Sequence, residues 1–234
     1  MRTRTRAQGL AGITVIALGL GLIPAAVPVT ADEALPQVSK EGLQLQPRKG
    51  DRIVYLKPGA RFDQYKRVAI LDCFVEFAKD WQRDYNDQAV GLNQRVTTAD
   101  MDRIKSELAQ EFKKVFTQEL QKNGGYQVVD VAAPDVLVLR PALVNLRVTA
   151  PDLMSAGMST VVVNSAGQMT LYLELWDSST NTILARVIDP GSNVNYSRNM
   201  VANRVTNTAE ARRLLEFWAQ SLRRHLDAVH AVSS

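Results

Sequence analysis

Met169-Thr-Leu-Tyr-Leu-Glu-Leu-Trp176, followed by Asp177-Ser-Ser-Thr-Asn181 and then Ile183-Leu-Ala-Arg-Val-Ile188, carries the pattern from which the architecture follows. Met169, Leu171, Leu173 and Leu175 alternate with Thr170, Tyr172, Glu174 and Trp176, the period-two pattern of a strand with one buried face. The five residues that follow are turn formers, and the pattern resumes after them, so the whole reads as a β-hairpin. A half-buried hairpin needs something to cover its apolar face.

Working upstream, Val136 to Thr149 is a long β segment containing Pro141, which lacks a ladder donor, so a bulge or an edge position is expected there. Ala132-Ala-Pro-Asp135 is a turn, and Tyr126 to Val131 a further strand. Before it stands the clearest helix. Met101, Ile104, Leu108, Phe112, Val115, Phe116 and Leu120 recur at steps of three and four, Thr97 or Thr98 supplies the N-cap, and Gly124-Gly125 the stop. Tyr65 to Phe77 is rich in β-formers, with Val68 to Leu71 apolar on both faces as in a central strand. Cys73 alternates there with Ala69, Leu71, Val75 and Phe77 and is expected to be a small buried hydrophobe.

Downstream, Met158 to Ser165 is strand-like, with Gly157 and Gly167 read as turn positions. Asp189 to Thr206 is polar and Asn-rich and reads as a surface loop. Asn207, with Glu210 three residues on, opens a last helix whose stripe is Ala211, Leu214, Leu215, Trp218, Leu222, Leu226 and Val229. Strand, helix, several strands and helix, with two apolar stripes to bury, define an α+β fold: a two-layer domain with a mixed, mostly antiparallel sheet and two amphipathic helices. The domain is expected over 50–230, with residues 32–49 as a polar tether.

The first 31 residues read as a signal peptide: Arg2, Arg4 and Arg6 precede the uncharged run Leu10 to Val27, and Val29-Thr-Ala31 is a small-residue cleavage site before Asp32; the alternative is a leader kept as a membrane anchor, for which the apolar run is long enough. The chain has 28 Lys and Arg against 24 Asp and Glu; without the three leader arginines, 25 cations face 24 anions. A near-neutral body excludes binding to nucleic acid through bulk charge. With the leader cleaved, no apolar run is long enough for a transmembrane helix. One cysteine excludes a disulfide framework, and it is not placed after the leader where a lipid would be attached.

The chemistry-bearing residues form no recognisable constellation. His225 and His230, five apart on a helix, point about 140° apart and cannot share one metal; both are expected to face solvent near a helix C-terminus. There is no Gly-x-Ser-x-Gly elbow and no phosphate-binding Gly-rich loop. Glu76, Asp80, Asp84 and Asp87 are dense but lack the offsets of a calcium loop. No catalytic residue, cofactor or metal is assigned. Phe77, just before the connection from Lys79 to Val96, and Trp81 and Tyr85 within it recur at four-residue steps, an aromatic stripe that is core if packed and a docking surface if exposed. Candidate docking residues are Trp81 and Tyr85 in this connection, and Tyr196, Arg198 and Arg204 in the loop from Asp189 to Thr206.

Leu56-Lys-Pro-Gly-Ala60, Tyr65-Lys-Arg-Val-Ala-Ile-Leu71, Tyr126-Gln-Val-Val129, Pro134-Asp-Val-Leu-Val-Leu-Arg-Pro-Ala-Leu143, Leu173-Glu-Leu-Trp-Asp-Ser178 and Glu216-Phe-Trp-Ala-Gln-Ser-Leu-Arg-Arg-His-Leu226 together resemble the bacterial envelope family catalogued as domain of unknown function 3313, over roughly 40–228. The resemblance implies an envelope protein of a Gram-negative bacterium, and it brings no catalytic residues. Lipid anchoring, common in that family, is not expected without the leader-proximal cysteine. The functional expectation is an exported, non-catalytic interaction or accessory module with an envelope protein as partner. The alternatives are a carboxylate-based hydrolase of envelope polymers and a small-molecule or lipid binder. Oligomeric state is left open.

Overall fold

The computed structural model describes residues 35–48, 50–89, 91–149, 161–163, 167–191, 200–202 and 204–233. The expected signal peptide lies outside them. From Pro36 onward the chain is one compact unit. Its strands are β1 (Gln44–Leu45), β2 (Ile53–Leu56), β3 (Arg67–Ile70), β4 (Phe74–Phe77), β5 (Gln127–Val128), β6 (Val136–Val148), β7 (Val161–Val163), β8 (Gly167–Asp177), β9 (Thr182–Asp189) and β10 (Met200–Ala202). Its helices are α1 (Trp81–Gln88), α2 (Thr98–Gln121) and α3 (Arg204–Ser233). Eight strands form one sheet in the order β1-β2-β9-β8-β6-β3-β5, with β4 continuing along β6 beyond the end of β3. β3 is parallel to β5 and β6, β4 is parallel to β6, and the other pairings in this sheet are antiparallel. β7 and β10 make a separate antiparallel pair. The architecture is the α+β one expected, with a third, short helix added.

β8 and β9 are the expected hairpin, and the Asp177 carboxylate closes its turn by accepting from the amides of Ser179 and Thr180 at 2.9 and 2.7 Å. The other oxygen of Asp177 accepts from the Tyr65 hydroxyl at 2.6 Å. Burial, with the carboxylate alongside, pushes the Tyr65 phenol up to about 12. α2 starts at Thr97 as a reciprocal capping box with Asp100. It ends under Arg223 of α3, whose Nη1 donates to the carbonyls of Leu120 and Lys122 at 2.8 and 3.0 Å. A Cβ on Gly125 would fall 2.3 Å from the Leu120 backbone carbonyl oxygen, so this stop requires glycine for space.

One sheet face is covered by α2 and α3, which pack against each other, α2 also meeting β4 and β5 and α3 meeting β8. Val68, Ile70, Leu137, Leu139, Leu143, Leu171, Leu173 and Leu175 from the sheet meet Phe112, Val115, Phe116, Leu120, Leu214, Leu215 and Trp218 in one buried cluster.

Several boundaries differ from the sequence reading. The strand expected over 65–77 is two strands, broken at Leu71-Asp-Cys73; Leu71 is 43% exposed whereas Cys73 is 9%. Pro141 explains the break. The Leu139 carbonyl accepts from Leu71 N at 3.0 Å, so residues 139 and 141 turn their backbone groups toward β3 and β4. Pro141 thus places its missing donor where β3 has ended and β4 has not begun. The irregularity of β6 falls later, at Asn145, whose φ is 55° and where the register to β8 shifts. Part of the loop expected over 189–206 is β10, and α3 begins at Arg204 rather than near Asn207.

The expected tether, 32–49, is structured from residue 36. Val38 bridges to Gln44, β1 pairs with β2, and Leu43 is fully buried. β2, absent from the sequence reading, joins β9 through four residues, Ile53 to Leu56. This N-terminal arm lies over the sheet face opposite the helices, where Leu43, Tyr55 and Ile183, with Leu45, Ile53 and Trp176, form a second small core.

Candidate functional site

Trp81 is the N-terminal residue of α1, and its ring is 5% exposed, stacked on Phe77 with centroids 4.4 Å apart. Tyr85 follows at 5.6 Å from Trp81, half-buried, its phenol raised by burial. The aromatic stripe is therefore core, because the connection from 79 to 96 is tied down: Asn86 exchanges hydrogen bonds with Val96 N and O at 2.7 and 2.9 Å, and Gln82 donates to Val96 O. A ring already packed on Phe77 has little area left to offer a partner. Tyr196 and Arg198 lie outside the described residues. Arg204 opens α3, and its side chain is likewise outside the description.

Cys73 donates to Phe74 O at 3.6 Å, and burial pushes its thiol up to about 12; a thiol so protonated is not a nucleophile at neutral pH. Asp80 and Asp84 pair with Arg83. His225 is exposed as expected. His230 is not: it is half-buried with its ring 5.5 Å from that of Tyr126 and Nδ1 3.1 Å from the phenol oxygen.

Two features that the sequence did not single out stand out in the fold. The first is a cavity of about 270 Å³ between the C-terminal half of α3 and the β2-β9-β8 part of the sheet. Val54 and Leu56, Leu171, Leu173 and Leu175, and Ala185 and Val187 form its floor; Trp218, Leu222, Leu226 and Val229 form its roof, and Phe62 one side. Polar groups collect at one corner. Arg52 Nε donates to Asp189 Oδ2 at 2.6 Å and Nη1 to Ser221 Oγ at 3.1 Å, while Gly191 N donates to Asp189 Oδ1 at 2.9 Å. The Asp189 side chain is 1% exposed and that of Arg52 22%, so the guanidinium is the outer member of the pair. Ser221 and His225 sit four apart on α3, but His225 Nδ1 bonds the Ser221 carbonyl oxygen, at 2.6 Å, and not its hydroxyl. The corner is thus arranged to hold charge in place, not to activate a nucleophile.

Asp189 and Ser221 lie 137 and 169 residues from Arg52 in the chain, which is why no local motif announces the corner. The available signals were an aspartate closing an apolar strand and a serine within the apolar stripe of a helix.

The second feature is on the opposite face. Phe74, 59% exposed, opens β4 beside Ala142, which pairs in turn with Tyr172. With Leu71 at the break, it presents two large apolar side chains to solvent where β3 gives way to β4. Farther along the same face Arg140 lies over the Trp176 ring at 4.3 Å.

The fold and these two features define an α+β module without a recognisable catalytic centre among its described residues. The chain belongs to the family described as protein of unknown function (DUF3313), which it matches over residues 37–222. No curated protein matches it significantly. Among solved structures it is similar to the PelC dodecamer from Paraburkholderia phytofirmans, at 10% identity and a TM-score of 0.36, covering 74% of this chain and 97% of that one. It is similar also to a PDZ domain protein from Parabacteroides distasonis, at 9% identity and a TM-score of 0.37, covering 73% of this chain and 35% of that one. Likeness at this level carries no argument about function or assembly. No described helix is long and apolar enough to cross a membrane.

Proposed function

We propose that this chain is an exported accessory protein of the Gram-negative envelope, cut after Ala31, that works by holding a protein partner and not by catalysis. The observation that carries the reading is the pair Leu71 and Phe74. Large apolar side chains exposed next to each other on a sheet face are the kind of surface that association buries, and Arg140 with Trp176 supplies an adjacent cation and ring of the types enriched at interfaces. The leader with Arg2, Arg4 and Arg6 supports export, and the envelope setting is what the sequence resemblance implies. The partner is a protein of the same compartment.

The reading is tested in the host by placing a photocrosslinking amino acid at position 74. The expected result is one envelope protein crosslinked from 74, and lost when Leu71 is changed to Asp. A processed chain beginning at Asp32 should be found outside the cytoplasm. Crosslinks that are diffuse, or an intact N-terminus in the cytoplasm, would overturn it.

A further inference from the structure

We infer that the cavity beneath the second half of α3 is a binding site for a single-chain amphiphile with a carboxylate head, a fatty acid of medium length. The chain would lie between Leu171, Leu173 and Val187 of the sheet and Leu222 of α3, with its head at Arg52.

Size and chemistry narrow the occupant. About 270 Å³ is near the lower end of the roughly 300–1,000 Å³ of small-molecule sites, enough for one hydrocarbon chain and too small for a two-chain lipid. The walls are almost wholly side-chain hydrocarbon. A sugar or nucleotide would leave hydroxyls unpaired against them, and a peptide segment would bring amides that need partners. An alkyl chain needs neither.

The corner supplies polarity. Arg52 binds Asp189 through Nε and Ser221 through Nη1, its guanidinium lies 5.8 Å from the Phe217 ring centroid, and its Nη2 has no hydrogen-bond partner among the described residues. Because Asp189 is sealed beneath it and also held by Gly191 N, the exposed end of the pair is positive. An incoming carboxylate can meet Nη2 and the remaining Nη1 proton in the forked geometry that guanidinium offers. A cationic head would meet the guanidinium directly, and a neutral one would forgo the charge-assisted bond.

The full-length chain, stripped of bound lipid, is titrated calorimetrically with dodecanoate, dodecanol and decyltrimethylammonium below their micellar concentrations. Dodecanoate should bind one to one, dodecanol about tenfold more weakly, as the loss of one charge-assisted hydrogen bond implies, and the ammonium compound not at all. Val187→Phe, which fills the cavity from the floor, should abolish binding of both dodecyl ligands with circular dichroism and melting temperature retained. Arg52→Gln should remove the preference for dodecanoate over dodecanol. Since that change also strands Asp189, Arg52→Lys serves beside it and should keep the preference in part.

Absence of dodecanoate binding to the unaltered chain, unchanged binding in Val187→Phe, or equal affinity for acid and alcohol would each overturn the inference. So would a dimer that Val187→Phe dissociates, since a second copy would then be the occupant. Crosslinking from position 74 reports on the other sheet face, so its outcome and this one are separable.

Discussion

The two faces of the large sheet are closed by different physics. On one, α2 and α3 lay down apolar stripes, and Phe112, Val115, Phe116, Leu120 and Leu215 are at most 1% exposed. On the other, an arm of some ten residues buries Leu43 and is then clipped by polar contacts. Tyr55 donates to Pro36 O at 3.0 Å, and Arg186 reaches Glu41 at 3.1 Å and Glu174 at 2.7 Å. The first face is held by burial summed over many residues, which is non-directional and tolerant. The second depends on a few residues each having its partner. Loss of a side chain should therefore act globally on the first and locally on the second.

The largest effect is expected for Phe116→Ala. Phe116 is fully buried and its ring stacks on Phe112 at 3.9 Å between centroids, and such truncations cost about 3–5 kcal/mol, a large part of the roughly 5–15 kcal/mol that holds a domain together. Chemical denaturation should show one cooperative transition at much lower denaturant. A midpoint close to that of the unaltered chain would mean that α2 is not packed on the sheet as described.

Trp81→Ala comes next, at about 3 kcal/mol, because its ring is buried on Phe77 at the edge of the same cluster. This outcome sharpens the contrast between core and docking surface: a stable variant with weakened partner capture would return Trp81 to the role its spacing first allowed. Spacing alone could not choose, since three aromatics every four residues look the same facing inward or outward. The choice was made by Asn86 and Val96, whose mutual hydrogen bonds fold the connection down.

The same limit runs through the molecule. The β8-β9 hairpin, α2 and its cap, and the stripe of α3 were legible because burial imprints a period on the sequence. The arm was not, because Leu43 is one leucine in a polar stretch and four residues, Ile53 to Leu56, are too short to show a period. The break at Leu71 to Cys73 was half legible: Pro141 announced a missing donor, but only the pairing of β6 with both β3 and β4 shows on which strand the consequence falls. The cavity was invisible, since it exists only where α3 and three strands meet.

Leu43→Ala breaks the comparison from the other side. The general cost of such a truncation is about 2–5 kcal/mol, yet the arm can open without the rest of the fold, so the observable loss is capped by the free energy of that local opening. Amide exchange should rise sharply over 36–46 and β2, with the global transition shifted much less. A uniform rise over α2 and α3 would show that the two cores unfold as one and that the contrast between faces is false.

The smallest effect is the most specific to the clip. Hydrogen bonds from Arg186 and Ser39 hold the Glu41 carboxyl down, from 4.5 to about 2, while burial works against the Arg186 cation and its bonds to Glu41 and Glu174 outweigh it, raising its pKa. A carboxyl with a depressed pKa favours the docked arm where it is ionised: the contribution is complete above about pH 4.5 and is lost as the pH falls toward 2. The Glu41 side chain is 40% exposed, so solvent screening limits the gain to less than about 1 kcal/mol. The Leu43 methyl resonances, followed by NMR, should report arm opening between those pH values in the unaltered chain, whereas Glu41→Gln should be more open at pH 6 and flatter below it. The two proteins should converge near pH 2, because both then present a neutral side chain to Arg186. If they differ there as much as at pH 6, the carboxylate is not what fastens the arm, and burial of Leu43 alone closes this face as the helical stripes close the other.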